Sequence, residues 1–196
     1  MVAVRINGQE SGVGGGAPLK VADLVELIKA SIDPEHMITS ILIDGRELAD
    51  EDWTANTGSY GTAIIEFETD TPENFLRERF GMAASVVNAC FAEFRDARKA
   101  FQGGDMIEGN QRLVQAVNTA RSFFEWYGTL LELVPKDKKN YYDIRPQTDQ
   151  IVETCKKICQ QQLYQSWWAL GETLQNELEP KLDKLDDFCR KFAVNG

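Results

Sequence analysis

The sequence predicts an α+β protein in which a small mixed α/β domain, residues 1–70, precedes an antiparallel helical bundle, residues 72–196. Short apolar runs separated by glycine turns fill the first part, whereas apolar residues at spacings of three and four fill the second. The net charge also differs between these two parts of the chain. Residues 1–70 carry 4 Lys/Arg and 13 Asp/Glu, a net −9, and residues 71–196 carry 17 and 18, a net −1.

The first domain is organised around residues 38–67, which form a strand, a tight turn, a polar excursion and a second strand. Asp44-Gly45 supplies the turn, because glycine adopts positive φ without steric cost. An acidic single turn is expected over residues 49–53 and the closing strand over 64–68. Before this stretch the pattern predicts an opening strand, a glycine-rich loop, a short second strand and an amphipathic helix, over residues 2–6, 11–16, 18–20 and 21–32.

This order resembles a ubiquitin-like β-grasp domain, and the residues that carry the resemblance are SILIDGREL followed by ADEDW. The resemblance implies that Leu42 belongs to an apolar recognition patch, although the last-strand counterparts of that patch are Glu66 or Glu68. The closing strand continues into Thr69–Pro72 rather than into a free Gly-Gly tail, so conjugation chemistry is not expected. We therefore expect an acidic docking module.

The second domain is predicted to hold three long helices and a shorter C-terminal one. The first helix begins at Thr71-Pro72 and ends at Gly103-Gly104, where glycine commonly closes a helix. Pro180 begins the fourth helix or kinks the third. Apolar seams are expected to form the core; in the second helix the seam is Leu113, Val117, Ala120, Phe124, Tyr127, Leu131 and Val134. In the third it is Val152, Cys155, Cys159, Leu163, Ser166, Leu170 and Leu174.

Residues suited to catalysis are few, and we predict no catalytic residue, no cofactor and no metal. The single histidine, His36, precedes a strand and has no evident partner. Cys155 and Cys159 share one helix face and would bind a soft metal if Cys90 and Cys189 completed the ligand set. All four cysteines fall on or near apolar seams, where cysteine packs as a small hydrophobe.

Two aromatic clusters, residues 123–127 and 164–168, are too broad for one apolar seam. One interpretation is that the extra side chains fill contacts with the fourth helix or the first domain. The other is a groove or a dimer face that takes an amphipathic helix, since Trp and Tyr anchor interfaces. With Leu42 of the first domain, the predicted partner-binding residues are Leu42, Phe123, Trp126, Trp167 and Trp168.

The helical half also resembles the flagellar export chaperone family. The resemblance lies in overall length, an opening helix rich in Ala and Phe that ends at Gly104-Asp105, and the helix-turn-helix spacing after it. It implies a helical bundle that holds the terminal segment of a client protein. It assigns no contact residues, because no motif fixes the register.

An acidic domain that resembles ubiquitin, followed by a helical bundle with few residues suited to catalysis, leads us to expect a non-enzymatic protein-interaction or adaptor protein. A net charge of −10 argues against nucleic-acid partners and anionic membranes, because phosphate binding needs clustered Lys/Arg. The start has no leader pattern and no long apolar run occurs, so a cytoplasmic protein with reduced thiols is expected. A secretion-type chaperone and a cysteine- or metal-dependent enzyme are the alternatives, and a homodimer is left open.

Overall fold

A computed structural model describes residues 2–13 and 19–193, and there it contains a five-stranded sheet and seven α-helices. The predicted α+β class is confirmed at this level. The chain divides into two units, Met1–Phe75 and Leu76–Gly196. The division falls inside the first helix after the sheet rather than in the segment between residues 68 and 72.

The sheet of the first unit has the strand order β2-β1-β5-β3-β4. Strands β1 and β5 are parallel neighbours, and every other neighbouring pair is antiparallel. One helix, α1, lies between β2 and β3 in the chain. The bounds are β1 (Ala3–Ile6), β2 (Gln9–Glu10), α1 (Val21–Ser31), β3 (Met37–Ile43), β4 (Arg46–Glu47) and β5 (Ile64–Asp70).

Two-residue turns with positive φ build both hairpins of the sheet. Asp44 and Gly45 have φ of 48° and 82° and join β3 to β4, as the sequence predicts. Asn7 and Gly8, at 49° and 79°, join β1 to β2 in the same way. The prediction of a second strand at residues 18–20 is therefore wrong. The Asn7-Gly8 turn reverses the chain, and the second strand follows it directly at Gln9–Glu10. Lys20 makes only an isolated bridge with Asn56, and Pro18 and the loop glycines 14–16 lie outside the described residues.

The core of the first unit lies between α1 and one face of the sheet. The predicted apolar stripe of α1 is buried, because its spacing of three and four places it on a single side of the helix. Alternate residues of the strands meet it from the sheet. The buried set is Val4, Val21, Leu24, Val25, Ile28, Ile43, Ala63, Ile65 and Phe67.

The second unit is built from helices that pack around α3. Helix α3 contacts α4 along one side and α7 along another, and α5 contacts α6 and α7. The bounds are α2 (Pro72–Gly81), α3 (Ala83–Gln102), α4 (Met106–Leu133), α5 (Arg145–Leu163), α6 (Trp167–Thr173) and α7 (Glu179–Ala193). Among the residues described, no helix has the length and apolar character needed to cross a membrane.

The predicted set of three long helices and a shorter one is wrong in two places. The first predicted helix is two helices, α2 and α3, which part at Gly81-Met82. The third predicted helix ends at Leu163, because Gln165 adopts a φ of 53° and turns the chain. Helix α6 then passes through a π-helical turn, Leu174–Leu178, into α7. Pro180 lies two residues after this π-helical turn, where the regular i to i−4 hydrogen-bond ladder is already interrupted, so its missing N–H is accommodated without ending the helix.

Candidate protein-binding site

The predicted aromatic residues of the helical unit do not share one surface. Phe123 is only 3% exposed and packs against Tyr127, so its assignment to a binding face was wrong. Trp126 is half-buried on the same helix. Trp167 and Trp168 line a cleft together with Met106, at the start of α4. Trp126 lies 20 residues further along α4, about 30 Å from Met106, so it is far from that cleft.

Trp167 and Trp168 differ sharply in exposure although they are adjacent. Trp167 is half-buried and stacks on Phe101, with ring centroids 5.6 Å apart and 12° between the planes. Trp168 is 81% exposed. The prediction that the two side chains cannot both lie on one narrow stripe is confirmed, because adjacent helical residues point about 100° apart.

Leu42, the predicted residue of the first unit, is half-buried in β3. Its register partners are Glu47 on β4 and Glu66 on β5. Directly paired residues project from the same face of a sheet. The surface around Leu42 is therefore acidic. The sequence indicates the same, because it places a glutamate, Glu66 or Glu68, on the last strand beside Leu42.

An apolar groove with a volume of about 720 Å³ lies between α4 and α5. We call it the α4/α5 groove. Its apolar walls come from one stripe of each helix, and charged or amide side chains stand along the same stripes. The lining residues are Val117, Ala120, Arg121, Phe124, Glu125, Ile151, Val152, Cys155, Lys156, Cys159 and Gln160.

The groove exists because α4 and α5 each carry two adjacent apolar stripes. One stripe of each helix is buried in the core: Leu113, Ala116, Ala120, Phe123, Tyr127 and Leu130 on α4, and Ile151, Thr154 and Ile158 on α5. The second stripe lies one position further round each helix and faces the groove. Val117 and Phe124 were predicted as core and are half-buried, and Val152 is 41% exposed. The core assignments of Val117, Phe124 and Val152 were therefore wrong, each by one residue, because Ala116, Phe123 and Ile151 are the buried ones.

Phe124 is supported in the groove by the core beneath it. Its ring centroid lies 5.4 Å from that of Phe123 in an edge-to-face arrangement, a geometry that aromatic pairs prefer. Phe123 in turn packs against Tyr127, whose hydroxyl donates to the carbonyl oxygen of Tyr142 at 2.7 Å. Burial raises the pKa of Tyr127, so this donor keeps its proton at any physiological pH. The groove wall is therefore backed by a fixed set of rings.

Cations predominate among the charged residues of the groove. Arg121 and Glu125 stand one turn apart on α4, and Lys156 stands on α5. Lys156 donates to Glu153 at 2.6 Å, outside the groove lining. In the part of the chain that the structure describes, no ion pair of the exposed Arg121 is present. Arg121 is therefore available to a negatively charged group of a ligand.

The thiols of Cys155 and Cys159 both line this groove. Burial raises the pKa of the Cys155 thiol to about 11, and the neighbouring Cys159 adds to the rise. Burial likewise raises the pKa of Cys90 to about 11 and of Cys189 to about 12. A thiol with such a pKa is almost wholly protonated at neutral pH and is a poor nucleophile. The Cys155 thiol is thus suited to apolar contact in the groove.

The structure does not assemble the four cysteines into the metal site considered from the sequence. Over residues 2–13 and 19–193, no group of three or more His, Cys, Asp or Glu is placed to hold a metal ion. Cys90 and Cys189 are buried in α3 and α7, whereas Cys155 and Cys159 face the groove. The backbone N–H of His36 donates to the carbonyl oxygen of Asp33 at 2.9 Å.

The chain has no match among protein-family models, curated proteins or solved structures. Its function must therefore be argued from the groove and the surfaces themselves. Sequence reasoning assigned Val117, Phe124, Val152, Cys155 and Cys159 to core seams and did not single out Ile151, which also lines the groove. In the sequence, the core stripe and the groove stripe of each helix differ only by an offset of one residue. That offset does not predict which of the two stripes packs against α3 or α7.

Proposed function

We propose that this protein is a non-enzymatic interaction protein whose helical unit holds an amphipathic helix of another protein in the α4/α5 groove. The observation that carries the proposal is the groove itself, an apolar channel of about 720 Å³ bounded by two helices. Ligand sites are typically concave, mostly apolar and furnished with a few polar groups. Phe124, Val152 and Cys155 supply the apolar surface, and Arg121 and Lys156 the charges.

The dimensions of the groove suit a helix. Its α5 wall runs from residue 151 to residue 160, which is about 14 Å at the rise of an α-helix. A third helix laid against such walls would bury two to three of its own turns. Its apolar residues would recur at spacings of three and four, the pattern by which grooves of this kind read their ligands.

The charges of the groove define the flanks of that helix. Arg121 is exposed and available, and Lys156 on the opposite wall adds a second cation. Glu125 is the only carboxylate among the lining residues. An acidic side chain beside the apolar stripe of the partner would pair with Arg121 and fix the direction in which the helix lies.

For the first unit we propose a ubiquitin-like β-grasp domain that acts as an acidic docking module. Three observations support it: a mixed sheet with parallel β1 and β5, one helix packed on a single face, and a short 3-10 helix, Asp50–Thr54, after the Asp44-Gly45 hairpin. Leu42 lies between Glu47 and Glu66 on the sheet. This arrangement favours a partner that combines apolar and basic residues.

A secretion-type chaperone is the more specific form of the same proposal. It is favoured by the groove, because a chaperone of that kind would cover an apolar helical segment of its client until delivery. The two forms differ in what occupies the groove. An adaptor binds a segment within a folded partner, whereas a chaperone binds a terminal segment of its client.

The proposal is tested by replacing Lys156 in the full chain with a photo-cross-linking amino acid and irradiating the protein in its native cells. Lys184, exposed on α7, is the matched control position. We expect a cross-link at position 156, absent at 184, to a segment with apolar residues at spacings of three and four and acidic flanking residues. A segment without that pattern, or equal cross-linking at both positions, contradicts the proposal.

The cross-linked segment is then synthesised and titrated against the full chain by calorimetry. Val152→Asp places a charge inside the groove and should weaken binding at least tenfold. Val114→Asp introduces the same charge at an exposed valine of α4 outside the groove lining, and it should leave the affinity unchanged. Equal affinity for both variants would show that the peptide binds elsewhere.

A further inference from the structure

The turn between α5 and α6 exposes three large hydrophobic side chains. Leu163, Tyr164 and Trp168 are 81%, 82% and 81% exposed. They fall within six residues at one end of the helical unit, and we call residues 163–168 the apolar turn. Large hydrophobic side chains so exposed and so close together mark an interaction surface.

The backbone of the apolar turn is fixed by hydrogen bonds. The amide of Tyr164 donates to the carbonyl oxygen of Gln160 at 3.1 Å, and that of Ser166 donates to the carbonyl oxygen of Gln161 at 2.8 Å. The side chain of Gln162 donates to Asn110 of α4 at 2.7 Å. The exposed side chains therefore project from an ordered support, which lowers the entropy cost of binding.

A cleft of about 300 Å³ lies beside the apolar turn. Its apolar walls include Phe101 and Trp167, which stack on each other, and Met106. A dry cavity of about 150 Å³ already accepts benzene, so this cleft has room for one phenol ring. The lining residues are Phe101, Gln102, Met106, Trp167, Trp168, Gly171 and Glu172.

The cleft also offers an acceptor for a buried hydroxyl. One carboxylate oxygen of Glu172 accepts from the side chain of Asn176 at 2.9 Å, and the other remains for a further donor. A tyrosine ring that enters an apolar cleft needs such a partner, because an unpaired hydroxyl is costly to bury. Tyr164 of a second copy carries both the ring and the donor that the cleft requires.

Charge favours a second copy at this place. Each chain carries a net −10, of which −9 falls on residues 1–70, so two chains repel each other chiefly through their first units. Residues 158–171 contain no Asp, Glu, Lys, Arg or His. Two copies that meet through this stretch bring together an uncharged segment of the unit whose net charge is only −1.

We propose that two copies of this chain associate through the apolar turn about a two-fold axis, with Tyr164 of each copy in the Trp167 cleft of the other. The projecting ring and the cleft are at the same end of one unit, as a two-fold contact requires. The hydroxyl of Tyr164 donates to Glu172 of the second copy. The proposal does not depend on the α4/α5 groove.

The area available predicts a weak dimer. Aromatic side chains bury about 150–250 Å² each, so the two exposed rings and Leu163 of each copy bring the total to about 1,000 Å² for the pair. Specific interfaces begin near that size, and those at the lower limit are transient. The dimer should therefore form with a micromolar dissociation constant and depend on protein concentration.

Sedimentation equilibrium of the full chain over a range of concentrations tests the proposal. Tyr164→Ser should raise the dimer dissociation constant at least tenfold, and Tyr164→Phe, which keeps the ring, by less. Leu133→Ser removes an exposed leucine at the opposite end of α4 and should have no effect.

A photo-cross-linker at position 164, in a mixture of isotopically heavy and light chains, identifies the contact. Heavy-to-light cross-links between residue 164 and residues 101–106 or 167–172 are expected. A chain that stays monomeric at all concentrations overturns the proposal. So does a dimer that Tyr164→Ser leaves unchanged, or a heavy-to-light cross-link that falls elsewhere.

Discussion

Gly109 and Gly128, both on α4, provide a test of how closely α3 and α4 pack. A Cβ at Gly109 would lie 2.7, 2.8 and 2.9 Å from three ring carbons of Phe101, whereas a Cβ at Gly128 would meet nothing within 4 Å. Replacing a helical glycine by alanine gains about 1 kcal/mol in helix propensity. At Gly109 this gain is opposed by the contact with Phe101.

The size of the opposing effect follows from the geometry. An ordinary Cβ contact begins at 3.4 Å, so the ring must retreat by roughly 0.7 Å, and overpacking of this kind costs about 1–3 kcal/mol. Phe101 is 4% exposed and stacked on Trp167, which limits its retreat. We expect Gly109→Ala to destabilise by about 1 kcal/mol and Gly128→Ala to stabilise by about 1 kcal/mol.

Thermal unfolding followed by far-UV circular dichroism measures the difference. At about 4 °C per kcal/mol for a unit of this size, the two variants should differ in Tm by about 8 °C, with the wild type between them. In a Phe101→Ala background, which removes the three clashing ring carbons, Gly109→Ala should be stabilising relative to Phe101→Ala alone. If Gly109→Ala is as stabilising as Gly128→Ala, the close approach of α3 and α4 is refuted.

Three further predictions concern buried polar groups and thiols. Asp52 accepts hydrogen bonds from the amide of Ala49 and the hydroxyl of Tyr60, and these bonds together with Arg46 lower the pKa of Asp52. The contribution of its carboxylate to stability is therefore full above about pH 4 and is lost as the pH falls through the lowered pKa. Asp52→Asn should flatten the loss of stability in acid, measured by urea unfolding at a series of pH values, and an unchanged slope would contradict this. Tyr127→Phe should lower the free energy of unfolding by about 1–2 kcal/mol, because it removes the hydroxyl bonded to a backbone carbonyl; an unchanged urea midpoint would argue against that bond. Cys159 is exposed, whereas Cys90 and Cys189 are buried and Cys155 is half-buried. In the native protein a thiol reagent should therefore modify Cys159 first, and the other three thiols should react only after denaturant is added. Rapid reaction of all four thiols without denaturant would contradict this burial.

The elements of the first unit could be predicted because local chemistry specifies them. Asp44-Gly45 takes the positive φ that a two-residue hairpin requires, and the stripe of α1 has one apolar side only. The second strand was misplaced although Asn7-Gly8 carries the same turn signal as Asp44-Gly45. Gln9 and Glu10 are polar and exposed, so only pairing with β1 makes them a strand.

In the helical unit the sequence determined which residues are apolar and where most helices begin and end, because periodicity and caps are local. Only the tertiary structure decided which stripe of α4 and α5 is core and which forms the groove. Val117 and Phe124 are as apolar as Ala120 and Phe123, and the packing of neighbouring helices selects between stripes one residue apart. The turn at Gln165 is held by local hydrogen bonds within residues 160–166, but its positive φ falls on a glutamine rather than on the glycine that commonly closes a helix, so the sequence did not signal it.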